Sequence, residues 1–432
     1  MARRLNLEAM KRTLYRSNTK FLMTLVMILQ VSGMLLLAFK KNPIDLQALV
    51  LSAALPLCTY VSVTLYAKWW QIDRALMLLV LLLCSIGLIT LEDITRSPIT
   101  PRNQAYFILA GLAAMGAGIV LIRRMRRWDR YVYWAMAGAL MLLVLPLVIG
   151  EWQYGAKNWV KVPGTGFSVQ PSEFAKPVLI LILAAGLGGQ KRLLKSLPVV
   201  VYAAVLCVLL LIERDLGALL LYFLVTAILF YAGTSNGLLT LAGLGLGGGG
   251  AVVAYKLLPY VQKRVEMFQN PWSDPLEKGF QIIQALIAIG SGGLFGMGLG
   301  LGYPRNIPLY HSDFIFAAIC EEFGLIFALC LLAVYLLIVL RGAAIAMNAR
   351  SSFHSLTALG VVSLIALQTL VIVGGNIQLI PLTGVTLPFV SAGGSSMISM
   401  MGAAGLLLGV SAINAHDEAD DYARMQWKGE AQ

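Results

Sequence analysis

The sequence predicts an all-α polytopic membrane protein with about twelve transmembrane helices and both termini in the cytoplasm. Three observations predict it. Of 432 residues, 59% are hydrophobic and only 12% are charged, about half the charge an ordinary soluble domain carries on its surface. The apolar residues gather into runs close to the roughly 20 residues that cross a bilayer as helix. The 33 basic side chains fall largely into short clusters between those runs, as the positive-inside rule expects of cytoplasmic loops.

Taken in order, the apolar runs are 21–39, 46–66, 74–92, 105–122, 131–150, 173–188, 197–212, 215–232, 236–258, 313–340, 356–377 and 386–413. The first is long enough to span and has no small-residue cleavage site after it, so it reads as a helix rather than a cleaved signal. Basic clusters precede it (Arg3, Arg4, Lys11, Arg12, Arg16, Lys20) and recur at Arg123, Arg124, Arg126, Arg127 and Arg130 and at Lys191, Arg192 and Lys195. Alternation from these clusters leaves two long segments outside the cytoplasm, 151–172 and 259–312, the second with room for a short glycine-rich half-span in 281–302. The same distribution argues against nucleic acid despite a net charge of +12. All five cysteines lie inside apolar runs, so neither disulfides nor a thiolate metal site is expected. Short-period repeats and similarity between the two halves are not evident, which counts against an inverted-repeat transporter. The run Gly243 to Gly250 has no strand-helix unit around it, and close helix packing is its expected role.

Ionisable groups at the edges of apolar runs are expensive and are the first functional candidates. Glu173 and Lys176 open one run three residues apart, where a helix lets them pair. Asp215 opens another, in a position that equally suits a helix cap. Asp313 opens the run after the long loop, between His311-Ser312 and the apolar stretch from Phe314. All four lie at the same side by alternation, which suggests one outward-facing polar cavity. Glu321 and Glu322 are rotated by about 80° and 180° from Asp313 on a helix, so deeper packing roles suit them, Glu322 above all. His311 is a single interfacial histidine, and with His354 and His416 in predicted cytoplasmic segments a zinc site is not expected. Seven glycines among the thirteen residues from Gly290 to Gly302 imply tight turns or close approach to a ligand. With Arg264, Lys278 and Arg305 they are candidates for holding an anion such as a pyrophosphate. A Gly/Ser cluster, Ser391 to Ser396, reads equally as a helix-packing surface or a site.

These motifs, in this order, resemble the SEDS (shape, elongation, division and sporulation) family, which includes FtsW, RodA and SpoVE. The resemblance rests on Gly155-Ala156-Lys157-Asn158-Trp159, Gln170-Pro171-Ser172-Glu173 with Lys176, Asp215-Leu216-Gly217, Arg264-Val265, Trp272 to Pro275 and Gly279-Phe280-Gln281. It continues through His311 to Ala317, Glu321-Glu322-Phe323-Gly324, Gly384 to Pro388 and Gly393 to Ser396. It implies a ten-helix glycosyltransferase core over 73–413, preceded by two extra helices within 1–72 and followed by a cytoplasmic tail, 414–432. The implied reaction, at the outer face of the bacterial cytoplasmic membrane, is polymerisation of lipid II into peptidoglycan glycan strands with release of undecaprenyl pyrophosphate. Asp313 matches the family's essential aspartate and would act as general base. Glu173, Lys176 and Asp215 match charged residues of the family's cavity, and Arg264, by charge complementarity, faces the leaving pyrophosphate. The same resemblance adds Trp159, Gln281, His311, Ser312, Gly393 and Ser395 to the substrate-binding set. A divalent cation (Mg or Mn) accompanying the pyrophosphate is left open, no organic cofactor is expected, and a monofunctional class B penicillin-binding protein is the implied partner. The chain departs from the family pattern in Glu213-Arg214 before Asp215, where Gln-Pro is usual, in Ala392, and in Tyr310. A flippase or transporter of the same lipid-linked precursor is the competing reading; a scaffold without catalysis is the third and does not require Asp313.

Overall fold

The computed structural model describes residues 19–40, 43–95, 97, 99–124, 131–153, 155–164, 167–188, 193–276 and 279–430. Of the basic residues named above, those at positions 3–16, 126–130 and 191–192, and Lys278, lie outside this set. The described chain is mostly helical: α1 (Thr19–Lys40), α2 (Leu46–Trp70), α3 (Arg74–Ile94), α4 (Ile99–Arg124), α5 (Val132–Ile149), α6 (Pro171–Leu187), α7 (Leu193–Ile212), α8 (Leu216–Thr234), α9 (Gly237–Leu257), α10 (Pro259–Gln269), α11 (Phe280–Gly292), α12 (Ile315–Asn348), α13 (Ser352–Asn376) and α14 (Gly394–Glu430). Among the described residues ten helices are long and apolar enough to cross a membrane: α1 to α5, α8, α9 and α12 to α14. The sequence reading also counts α6 and α7 as spans. α6 has 17 residues and carries Glu173 and Lys176, while the described part of α7 and the whole of α11 are shorter apolar helices.

Local chemistry sets the helix ends. Asp45 caps α2, accepting from the Gln47 amide at 3.0 Å, and Asp73 caps α3, accepting from Leu76 at 3.1 Å; each satisfies a donor that a helix start leaves free. Pro171 opens α6, where its missing N–H costs nothing. The innermost helix is α3, buried over almost all its length, with α14 and α13 close behind. Its burial is consistent with an apolar run from Ala75 to Ile94 that has few exposed positions. α4 and α14 meet through small residues: a side chain on Gly118 would run into the Gly402 carbonyl, and one on Gly405 into the Met115 carbonyl. Close backbone approach of this kind is how helices associate in lipid.

Four expectations are corrected. Segment 151–172 is more than a loop, because Glu151–Gln153, Ala156–Lys161 and Ser168–Val169 form an antiparallel sheet (β1, β2, β3, in that order). Segment 259–312 contains α10, which the sequence reading does not anticipate, beside α11, a short apolar helix lying largely within the half-span it places in 281–302. The last helix starts at Gly394, eight residues later than its apolar run, because Thr383 to Gly393 is used as non-helical backbone at the site described below. Finally, Gly243, Gly245, Gly248, Gly249 and Gly250 face nothing within 4 Å, and only Gly247 meets a neighbour, the Phe223 ring; α9 has no buried residue. The glycine run is therefore not a packing surface in this structure.

Candidate active site

Asp313 closes a tight turn that leads into α12. Leu309 adopts a positive φ of 58°, a conformation that costs a non-glycine residue about 1–3 kcal/mol, and Ser312 and Phe314 donate back to its carbonyl. Asn376, at the end of α13, fixes the turn from the other side. Its Nδ2 donates to the Asp313 carbonyl at 2.8 Å and its Oδ1 accepts from the Ala317 amide at 3.2 Å, satisfying a free donor in the first turn of α12. Beneath the turn Phe314 is buried against Ala285, Ala288 and Ile307. Asp313 is half-buried. Burial pushes its pKa up to about 6, against the opposing pull of the Ser312 hydroxyl and the Arg264 charge.

The non-helical segment 383–393, with the first turn of α14, gathers the rest of the site around Asp313. Gly384 has φ of 73°, and a side chain there would start 3.6 Å from Asp313 Oδ2. One residue earlier, the Thr383 carbonyl accepts from Arg264 Nη1 at 3.3 Å. Burial disfavours the Arg264 charge while Asp215 and Asp313 sustain it, so this guanidinium and the Asp313 carboxylate lie within electrostatic reach across Thr383 and Gly384. Ser391 Oγ donates to the Ser312 carbonyl at 2.6 Å, the Ala392 amide donates to the His311 carbonyl at 2.9 Å, and the His311 ring meets Tyr310 edge-on at 5.3 Å. Burial lowers the His311 pKa and so favours its neutral form. Gln104 ties the segment to α4, donating to the Ser391 carbonyl at 3.0 Å and accepting from Gly393 at 3.4 Å. Ser395 is buried nearby.

Three further charged side chains, Glu173, Lys176 and Asp215, are buried in the protein interior and tied to these segments. Glu173 and Lys176 are 4% and 2% exposed, a buried pair at 2.7 Å rather than a surface one. Lys176 also reaches Gln368 Oε1 at 3.5 Å, and Gln368 Nε2 donates to the Thr386 carbonyl at 2.8 Å, so the pair is linked to the 383–393 segment. Asp215 caps α8, with Oδ1 accepting from Ala218 at 3.0 Å. Its Oδ2 accepts from Gln170 at 2.7 Å, Asn158 at 2.9 Å and Ser172 at 3.1 Å. Four donors use nearly all the acceptor capacity of a carboxylate, so Asp215 organises β2, α6 and α8. Trp159 is half-buried in β2, opposite Glu151, and Gln281 stands in the first turn of α11. Among the described residues no hydrogen bond joins either to Asp313. Gln104, Gln368 and Asn376 are site residues that the sequence reading missed; a buried amide inside an apolar run was their one available signal.

The anion cradle expected from Gly290 to Gly302 is corrected. α12 breaks at Gly324, with φ of 83° and ψ of 172°, and the glycine-rich segment repairs the break. Met297 and Gly298 donate to the Glu321 and Glu322 carbonyls, and the Gly293 and Leu294 carbonyls accept from Leu325 and Ile326. The Glu322 and Glu321 side chains accept from the amides of Gly300 and Tyr303. Arg305 donates to the Ile94 carbonyl at 2.8 Å, and Arg264 to Thr383, so these two bases do not converge. The Glu213-Arg214 departure also has a physical account. Arg214 stacks over the Trp152 ring at 4.8 Å and the Tyr260 ring at 5.2 Å. Glu213 is fully buried, and burial, with Asp215 second, pushes its pKa up to about 8. Among the described residues no three His, Cys, Asp or Glu side chains converge as a metal cage.

The family model for FtsW, RodA and SpoVE, described as "Cell cycle protein", matches residues 67–416. The peptidoglycan glycosyltransferase RodA of Mycobacterium bovis is 35% identical over 355 residues, covering 76% of this chain and 75% of its own. Stage V sporulation protein E of Bacillus subtilis is 36% identical, covering 78% and 96%. Among solved structures, the rod shape determining protein RodA of Thermus thermophilus superposes with a TM-score of 0.60 at 27% identity, covering 80% of this chain and 98% of its own. A chain from a peptidoglycan synthase complex that coordinates polymerization and crosslinking reaches a TM-score of 0.68 at 27% identity, covering 80% and 99%. A ten-span apolar bundle, the Asp313 turn and these likenesses together lead to one assignment: the chain belongs to the FtsW/RodA/SpoVE family and is a multi-pass bacterial membrane protein.

Proposed function

We propose that this protein is a peptidoglycan glycosyltransferase that polymerises lipid II, with Asp313 as general base. The observation that carries the reading is a half-buried aspartate set beside a bare glycine, Gly384, and within electrostatic reach of a guanidinium, Arg264. Gly384 leaves open space next to the carboxylate for an acceptor sugar. Asp313 takes the proton from the acceptor 4-hydroxyl, the oxygen attacks the donor's anomeric carbon, and the anomeric C–O bond breaks to release undecaprenyl pyrophosphate. A base with a pKa near 6 is largely ionised at neutral pH and still basic enough to assist the attack. Arg264 offsets charge growing on the departing pyrophosphate, as preorganised cations do for leaving groups. The buried Glu173–Lys176 pair and Asp215 hold the surrounding segments in place. A divalent ion would be carried by the pyrophosphate itself, and no step depends on it.

The positive-inside rule supports an extracytoplasmic position for the Asp313 end, since Arg123 and Arg124 close α4 at the opposite end of the bundle. The likeness to a chain from a synthase complex supports a crosslinking partner, for which a class B penicillin-binding protein is the proposed identity. The test is direct: purified protein, with and without such a partner, is given lipid II and assayed for glycan polymer and free undecaprenyl pyrophosphate. Polymer formation is expected. Translocation of lipid II across proteoliposomes without polymer would overturn the reading in favour of a flippase.

A further inference from the structure

The family match begins at residue 67, so α1 and nearly all of α2 precede it, yet this hairpin is built into the bundle. Gln30 of α1 is buried and donates at 2.8 Å both to Thr59 Oγ of α2 and to Ser85 Oγ of α3. Met34, Leu37 and Ala38 are buried on the same helix, and Gly33 lies where a side chain would strike Ile89 of α3. At the end of α1 the hairpin then touches the loop that leads to Asp313. Lys40 Nζ lies 2.9 Å from Asp93 Oδ1 and donates to the Leu299 carbonyl at 2.7 Å. The ammonium sits directly against Gly300, where a side chain would begin 1.5 Å from Nζ.

We infer that Lys40 is a positioning residue: through it the N-terminal hairpin fixes the glycine-rich segment 293–303, and so the turn that carries Asp313. The segment has few other side-chain ties of its own. It is held to the α12 break by backbone hydrogen bonds and by the Glu321 and Glu322 carboxylates. Glu322 lies within electrostatic reach of Asp93 and Glu321, with Lys40 as the opposing charge. The side chain of Asp93 is only 2% exposed, and its Oδ2 has no partner among the described residues. Removing the ammonium would leave that carboxylate buried and uncompensated, which is far more costly than losing an exposed ion pair. From Gly302 the chain runs through Pro304–Asn306 into the Leu309 turn, so a shift at Leu299 is passed to the base within fourteen residues.

The effect on activity rests on the glycosyltransferase reading, whereas the effect on the segment does not. The full-length protein carrying Lys40→Met, and separately Lys40→Arg, is compared with wild type by hydrogen exchange over 293–313 and by lipid II polymerisation kinetics. Lys40→Met is expected to speed exchange in 296–303 by about tenfold or more and to lower kcat about tenfold with KM nearly unchanged. Lys40→Arg, which keeps the charge and the donor, is expected to restore both and to unfold at the wild-type temperature, while Lys40→Met unfolds at a lower temperature because of its uncompensated carboxylate but is folded under assay conditions. Unchanged exchange in Lys40→Met, or global unfolding of that variant, would overturn the inference, the first showing an idle lysine and the second a merely structural one. If the wild type makes no polymer the glycosyltransferase reading fails, and the exchange comparison still decides the role of Lys40.

Discussion

Two glycine-rich stretches of this chain look alike in sequence and do opposite things. Between Gly290 and Gly302 the backbone is pressed against the break in α12, with Gly296 at φ of 82° and no room for a side chain beside the Glu322 carbonyl. Between Gly243 and Gly250 the glycines are ordinary helix, and all but Gly247 face open space. The first stretch needs glycine at Gly292 and Gly296, where a β-carbon would push away the facing backbone of α12; the second meets no such constraint. Glycine content alone therefore does not mark a site or a packing surface, and the deciding features are positive φ and close approach.

That contrast can be broken by substitution. Gly296→Ala combines a left-handed backbone with a β-carbon 2.3 Å from the Glu322 carbonyl oxygen, and it is expected to cost about 3 kcal/mol or more, seen as a large fall in unfolding temperature in detergent. Gly247→Ala places its β-carbon 2.2 Å from the edge of the Phe223 ring. The ring can turn away, so the expected loss is about 1 kcal/mol. Gly248→Ala meets nothing and is expected to leave stability unchanged or raise it by up to about 1 kcal/mol, because alanine is the better helix former. Equal losses at Gly296 and Gly248 would erase the distinction. Glu213 sharpens a different point, that a charge change near the site can be accommodated by burial. Its raised pKa means the folded state holds a proton that the unfolded state releases, so stability should fall as pH rises from about 4.5 to about 8. Glu213→Gln is expected to remove that slope, measured as unfolding temperature against pH.

The parts of the molecule that were legible beforehand are those with a strong transfer cost. Charged residues at the edge of apolar runs stand out against hydropathy, which is why Glu173, Lys176, Asp215 and Asp313 were all visible, and the helices themselves follow from run length. Gln104, Gln368 and Asn376 were not singled out, because an amide inside an apolar run carries no charge and reads as polar glue between packed helices. The sheet at 151–169 was missed because its strands have three, six and two residues, too short for alternation to register. The break at Gly324 escaped because a lone glycine inside a helical pattern is usually tolerated. Only the docked segment, far away in sequence, makes it a break. Lys40 stands at the end of the first apolar run, where a lysine reads as an ordinary interfacial anchor, and its partners lie 53 and 259 residues away.

The central claim is that Asp313, ionised, accepts the proton from the attacking sugar hydroxyl, and the most direct measurement is the pH dependence of polymerisation by wild type and Asp313→Asn. The wild-type rate is expected to be level above a pKa of about 6 and to drop about tenfold per pH unit below it. Asp313→Asn should be folded but inactive across the whole range. Polymerisation by Asp313→Asn at the wild-type rate, or a wild-type profile that does not fall on acidification, would contradict the assignment.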